Sequence, residues 1–210
     1  MDECCNDKSS ALTRLREKQA ATLRLVLFLN ATMFVVEFAA GLLSGSVALL
    51  ADSLDMLGDA LVYGFSLYVV NRNSIWKARA ALAKAGVMGL FGSVVLGQLI
   101  LKLIHPQAPV FEAMGVVGAL ALAANGVCFG VLWRHRAEDI NMRSVWLCSR
   151  NDLIANVSVL LAALAVWALR SPWPDILVGA LICTVFLRSA LTVAREARDE
   201  LRLNHAQLRV

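Results

Sequence analysis

The sequence predicts an all-α fold, a six-helix transmembrane bundle with both termini cytoplasmic. Three observations predict it: the chain is overwhelmingly apolar, its apolar residues fall in six long blocks, and its basic residues crowd the connections on one side. Of 210 residues, 59% are hydrophobic and 17% charged, with a mean hydropathy of +0.65, far from the balance of a soluble domain. About 20 helical residues rising about 1.5 Å each span a hydrocarbon core of about 30 Å. Blocks of that length favour helices, because backbone groups in lipid must bond within their own segment and barrel strands alternate over only about ten residues.

The blocks run from Leu23 to Ser44, Val47 to Val70, Leu82 to Ile104, Val110 to Trp133, Val145 to Leu169 and Ile176 to Val193. They divide the chain into a cytoplasmic arm, residues 1–21, a membrane domain, residues 22–194, and a short cytoplasmic tail, residues 195–210. The polar arm and the full length of the first block argue against a cleaved secretory signal, so the first helix is expected to stay.

Basic residues set the orientation. Lys8, Arg14, Arg16, Lys18 and Arg24 precede the first block, Arg72, Lys77 and Arg79 follow the second, Arg134, Arg136 and Arg143 follow the fourth, and Arg195, Arg198, Arg202 and Arg209 follow the sixth. Only Lys102 and Arg170 lie near the opposite ends, which puts both termini in the cytoplasm by the positive-inside rule. The net charge of +4 therefore reads as topology, and no nucleic-acid partner is expected. The five cysteines form no disulfide framework: Cys4 and Cys5 are adjacent in the arm, while Cys128, Cys148 and Cys183 fall in membrane blocks, and all are expected as free thiols.

Acids inside the membrane blocks carry the chemistry. An ionised side chain at bilayer depth costs about 2.5–3.5 kcal/mol on insertion scales, so Asp52, Asp55, Asp59 and Asp152, left charged and unpaired, would cost roughly 10 kcal/mol together. Asp55 and Asp59 lie within about 40° of each other on a helix, with Asp52 adjoining that stripe. Cys148, Asp152 and Asn156 form a second stripe on the fifth block. Two such faces meeting in a bundle core can hold a metal. Basic partners look scarce, Arg150 alone lying nearby in sequence and pointing away from the Cys148 face. Two carboxylates from one helix with a carboxylate and a thiolate from another supply the four donors of a tetrahedral site, and mixed oxygen and sulfur favours transition metals over magnesium or calcium. Asp52 and Glu37, each taken alone, read equally well as neutral acids hydrogen-bonded between helices.

At these residues the sequence resembles the cation diffusion facilitator (cation efflux) family. The resemblance is carried by Asn30 to Glu37, Gly41, the run Ser44 to Asp59 (SGSVALLADSLDMLGD), the Cys148/Asp152 segment, and Trp173-Pro174-Asp175-Ile176, and it covers almost the whole chain. It implies a metal-transport site made of Asp55 and Asp59 with Cys148 and Asp152. Cys148 stands where the family usually has histidine, which shifts the expectation toward softer metals such as zinc, cadmium or cobalt. The chain looks like a short form without the family's cytoplasmic carboxy-terminal domain, Asn71 to Ala80 lacks the acid and histidines that form a second site in some members, and the loop between the fourth and fifth blocks is not histidine-rich.

The resemblance implies a divalent-metal efflux carrier and no enzyme, with no cofactor beyond the transported ion, Zn2+ first among candidates, and with protons and the lipid bilayer as its other partners. It further implies a multi-pass protein of the bacterial inner membrane. Metal and protons compete for the same donors, because ligands bind deprotonated. One proton per metal would move net charge outward, at about 2.3 kcal/mol per 100 mV, and two would be electrically silent. A transport-inactive metal sensor or scaffold keeps the same residues. An intramembrane aspartyl protease would need a glycine at Met56 and a tyrosine at Asn151. Ala85, Gly89, Ser93 and Gly97 recur every four residues, a small-residue face suited either to a homodimer or to an internal helix contact. Cys4 and Cys5 read either as a metal-capturing pair or as part of an irregular terminus, and His105, His135 and His205 as solvated loop residues.

Overall fold

The six apolar blocks become six helices in the computed structural model, which describes residues 2–69, 74–135 and 140–207. They are α1 Asp2–Ser44, α2 Val47–Val69, α3 Ser74–Ile104, α4 Phe111–His135, α5 Ile140–Leu169 and α6 Trp173–Gln207, with no strand among the described residues. At the end holding the α1–α2 turn, the apolar blocks and the helices stop together, at Ser44, Ile104 and Leu169. At the other end the helices run on: α1 begins at Asp2, and α6 continues to Gln207. Hydropathy marks only the lipid-facing length, whereas the polar extensions are rich in alanine, leucine, arginine and glutamate, all good helix formers. Arm and tail therefore continue α1 and α6, and the irregular terminus expected around Cys4 and Cys5 is corrected to helix. His135 and His205 likewise fall on the last turns of α4 and α6 rather than in loops, while His105 is exposed just after α3. The side chains of Cys4, Cys5, His135, Cys148 and His205 lie outside the described residues.

Among the described residues, five helices are long and apolar enough to cross a membrane: Arg24–Ser44, Ala81–Ile104, Phe111–Val131, Asp152–Leu169 and Trp173–Asp199. The other, α2, matches them in length but carries Asp52, Asp55 and Asp59, and packing explains how it is accommodated. It lies against α1, α3, α5 and α6, and Val47 to Leu54 are almost wholly enclosed. Lipid-facing side chains belong to the other five helices: Phe28, Leu43, Leu90, Val116, Leu164 and Leu181 are all exposed, as an integral multi-pass membrane protein requires. Trp133, Trp167 and Trp173 are exposed near helix ends, where aromatic rings favour the headgroup layer. On α3, Gly89 and Gly97 have open space where a side chain would be, and Ser93 is exposed. Among the described residues, nothing closes on that part of the small-residue face as an internal helix contact would.

The start of α2 is held unusually firmly. Gly45 adopts a left-handed φ of 68° and Ser46 N–H donates to Gly41 O at 3.0 Å, the glycine-terminated ending that closes a helix by satisfying its last carbonyls. Ser46 then caps α2, its Oγ accepting from Leu49 N–H at 3.1 Å. Asp175, 129 residues away on α6, accepts from Ser46 Oγ at 2.6 Å and from Val47 and Ala48 N–H at 3.0 Å each. An anion here also faces the positive end of the helix dipole. Lys102 from α3 completes the cluster, donating to Gly45 O and pairing with Asp175 Oδ2 at 2.7 Å. Read from sequence as a topology marker, Lys102 is thus a buried structural cation joining three helices.

One turn along α6, Gly179 lets the two backbones touch: a Cβ there would stand 2.8 Å from the Val47 carbonyl carbon and 2.9 Å from Ala48 N. Backbone cannot yield as a side-chain tip can. Gly179→Val is therefore expected to destabilise the protein by about 1–3 kcal/mol, read as a lower midpoint of thermal unfolding in detergent. An unchanged midpoint would show that α6 does not press on the start of α2.

A carboxylate cluster as candidate metal centre

Because α2 sits centrally, its aspartates face the bundle interior. Asp59 and Asp152 come within hydrogen-bonding distance of each other across the α2–α5 contact. Tyr63, one turn past Asp59 on the same face, donates its hydroxyl to Asp59 Oδ2 at 3.2 Å. Asp55 lies a turn before Asp59, and Asp55, Asp59 and Asp152 are all partly buried. Their fields overlap, Asp152 facing Asp59 first and Asp55 next. Cys148 occupies α5 one turn before Asp152.

Among the described residues, no group of three or more His, Cys, Asp or Glu stands close enough to hold a metal ion. What converges is the pair Asp59 and Asp152. The scarcity of basic partners is corrected too. Lys84 on α3 stands near enough to Asp59 to act on it electrostatically, its butyl stem able to lie along apolar surface while the ammonium reaches inward.

Toward the α1–α2 turn a second polar group is fully enclosed. Asn125 on α4 donates to Asn156 Oδ1 at 3.0 Å, and Asn156 on α5 donates to Asp52 Oδ2 at 2.8 Å. The amides thus form an oriented chain ending on α2, and Glu37 of α1 is buried beside Asp52. Beside Tyr63, between α1 and α4, Asn30 donates to Val26 O at 2.9 Å and lies 3.9 Å from the Cys128 sulfur, which packs with Val26 and Tyr63. Cys128 and Cys183 are free and buried.

The acidic stripe of α2 and the stripe of α5 were visible as helical spacings, and Asp59 and Asp152 do meet. Tyr63, Asn125 and Lys84 escaped sequence reasoning. Tyr63 offered one signal, its position four residues after Asp59, whereas the other two reach the cluster from different helices.

The model of the cation efflux transmembrane domain matches residues 23–202. Zinc transporter ZitB of Yersinia pestis is 29% identical over 193 residues, covering 84% of this chain and 61% of that protein. The metal cation efflux system protein CzcD of Cupriavidus metallidurans is 23% identical over 194 residues, covering 83% and 61%. A cadmium, cobalt and zinc/H(+)-K(+) antiporter of Bacillus subtilis is 21% identical over 188 residues, covering 82% and 60%. The chain spans about three-fifths of the length of these curated relatives. Matched through all six helices, with its acids buried along a central α2, this chain belongs to the cation efflux family.

Proposed function

We propose that the chain carries a divalent transition-metal cation, zinc foremost, out across the membrane in exchange for protons, through a site made by Asp55, Asp59, Cys148 and Asp152. The observation that supports this most is the approach of Asp59 and Asp152 from separate helices. Two carboxyl groups meeting in a low-dielectric interior repel when both are charged. A divalent cation, or a proton, relieves that repulsion. The same pair therefore alternates between holding metal and holding protons, which is the exchange an antiporter needs. Asp55 and the thiolate of Cys148, each one turn from a member of the pair, bring the donor count to the four that zinc favours. Tyr63, hydrogen-bonded to Asp59, orients that carboxylate from behind. The relatives' names, a zinc transporter and a cadmium, cobalt and zinc antiporter, accord with this choice of ion.

The test is a panel of zinc, cadmium, cobalt and magnesium in vesicles containing the purified chain, with internal pH followed by stopped flow at two external pH values. Zinc-driven proton movement and a blank response to magnesium support the proposal. No proton movement with any metal would refute it. Cys148→His is expected to keep zinc transport and to lower the cadmium response relative to zinc, since imidazole is harder than thiolate. An unchanged metal profile would remove Cys148 from the ligand set.

A further inference from the structure

Glu37 is 0% exposed, and neither of its carboxyl oxygens has a hydrogen-bond partner. Asp52 is also 0% exposed; its Oδ2 is taken by Asn156, while its Oδ1 is unpartnered. Such orphans are rare in folded proteins and costly, the more so inside a membrane. The ionisable groups facing Glu37 are Asp52 and then Asp55, with no cationic side chain among them.

Protonation alone does not resolve the arrangement. A neutral Glu37 still carries a carbonyl oxygen without a donor. Asp59 and Asp152 come within hydrogen-bonding distance of each other, but Glu37 and Asp52 leave three oxygens unused. The amide chain from Asn125 through Asn156 pins one Asp52 oxygen and leaves the other free. Three free carboxylate oxygens from two helices, with no cation among the described groups that act on Glu37, match what a divalent metal takes from a protein while keeping some water.

We propose that Glu37 and Asp52 form a second station for the transported divalent cation, a reading that rests on the transport function above. Glu37 lies seven residues before the end of α1, about 10 Å along the helix, whereas Asp59 lies twelve residues into α2, about 18 Å. The station is thus nearer the α1–α2 turn, the end away from the arginine-rich segments. Its donors are all oxygen, weaker for zinc than a shell including thiolate. An ion leaving the Asp59/Asp152 pair toward that end meets a looser holding point before release.

The test counts Zn2+ bound per chain by calorimetry on the purified full-length chain in detergent, with size exclusion checking that each variant folds. Two ions are expected for the wild type, one for Glu37→Gln, one for Asp52→Asn and one for Asp59→Asn, with the ion left in Asp59→Asn bound more weakly than the ion left in Glu37→Gln. Two ions in a folded Glu37→Gln or Asp52→Asn chain would overturn the second station. A single wild-type ion, lost in Asp59→Asn and kept in Glu37→Gln, would overturn it while leaving the transport proposal standing. No bound zinc in the wild type would overturn both.

Discussion

Vesicles carrying Asp59→Ala or Asp152→Ala are expected to show no zinc-driven proton flux, although both variants should insert and fold as the wild type does. The two carboxyl groups come within hydrogen-bonding distance of each other, so removing either deletes a metal donor and a proton acceptor at once. Neither supports the helix ends or the enclosed apolar core around Leu49 and Leu54, and replacing an acid by alanine at bilayer depth lowers the cost of insertion. Stability and function should therefore separate cleanly. Full flux in either variant would remove the pair from the transport path.

Asp175→Ala should do the reverse and damage the fold. It deletes the acceptor for Ser46 Oγ and for the Val47 and Ala48 amides, and it leaves Lys102 buried without its partner. Breaking one side of a buried ion pair typically costs about 3–5 kcal/mol, and loss of a helix cap adds about 1 kcal/mol. A marked fall in unfolding temperature and yield is expected. Lys102→Met should be milder, because Asp175 keeps its three other donors, and adding Lys102→Met to Asp175→Ala should recover part of the loss by removing the stranded charge. An Asp175→Ala chain as stable as the wild type would show that the cluster does not hold α2 in place.

The membrane-facing architecture was legible because lipid imposes a simple rule, long apolar helices, and the ends at Ser44, Ile104 and Leu169 followed from where that rule stops applying. Helical spacing exposed the acids on α2 and α5 for the same reason: Asp55 and Asp59, four residues apart, share a face in any α-helix. What sequence did not disclose was pairing across the bundle. Lys102 and Asp175 lie 73 residues apart, and no local period connects them. Lys84 was missed because its charge approaches Asp59 from a third helix. The Asn125–Asn156–Asp52 chain had a visible member in Asn156, but its continuation into α4 depended on packing. Glu37 stood out as an acid in a membrane block, but no local spacing showed that it would be enclosed without a hydrogen-bond partner.

A double-variant zinc-affinity measurement tests most directly whether Asp59 and Asp152 act as one site. Zinc affinity at that site would be compared for the wild type, Asp59→Ala, Asp152→Ala and the double variant, all folded and at one pH. Each single change is predicted to lose nearly all affinity there and the double change little more, the non-additivity of two groups serving one ion. Independent, additive losses, or a single variant binding like the wild type, would contradict it.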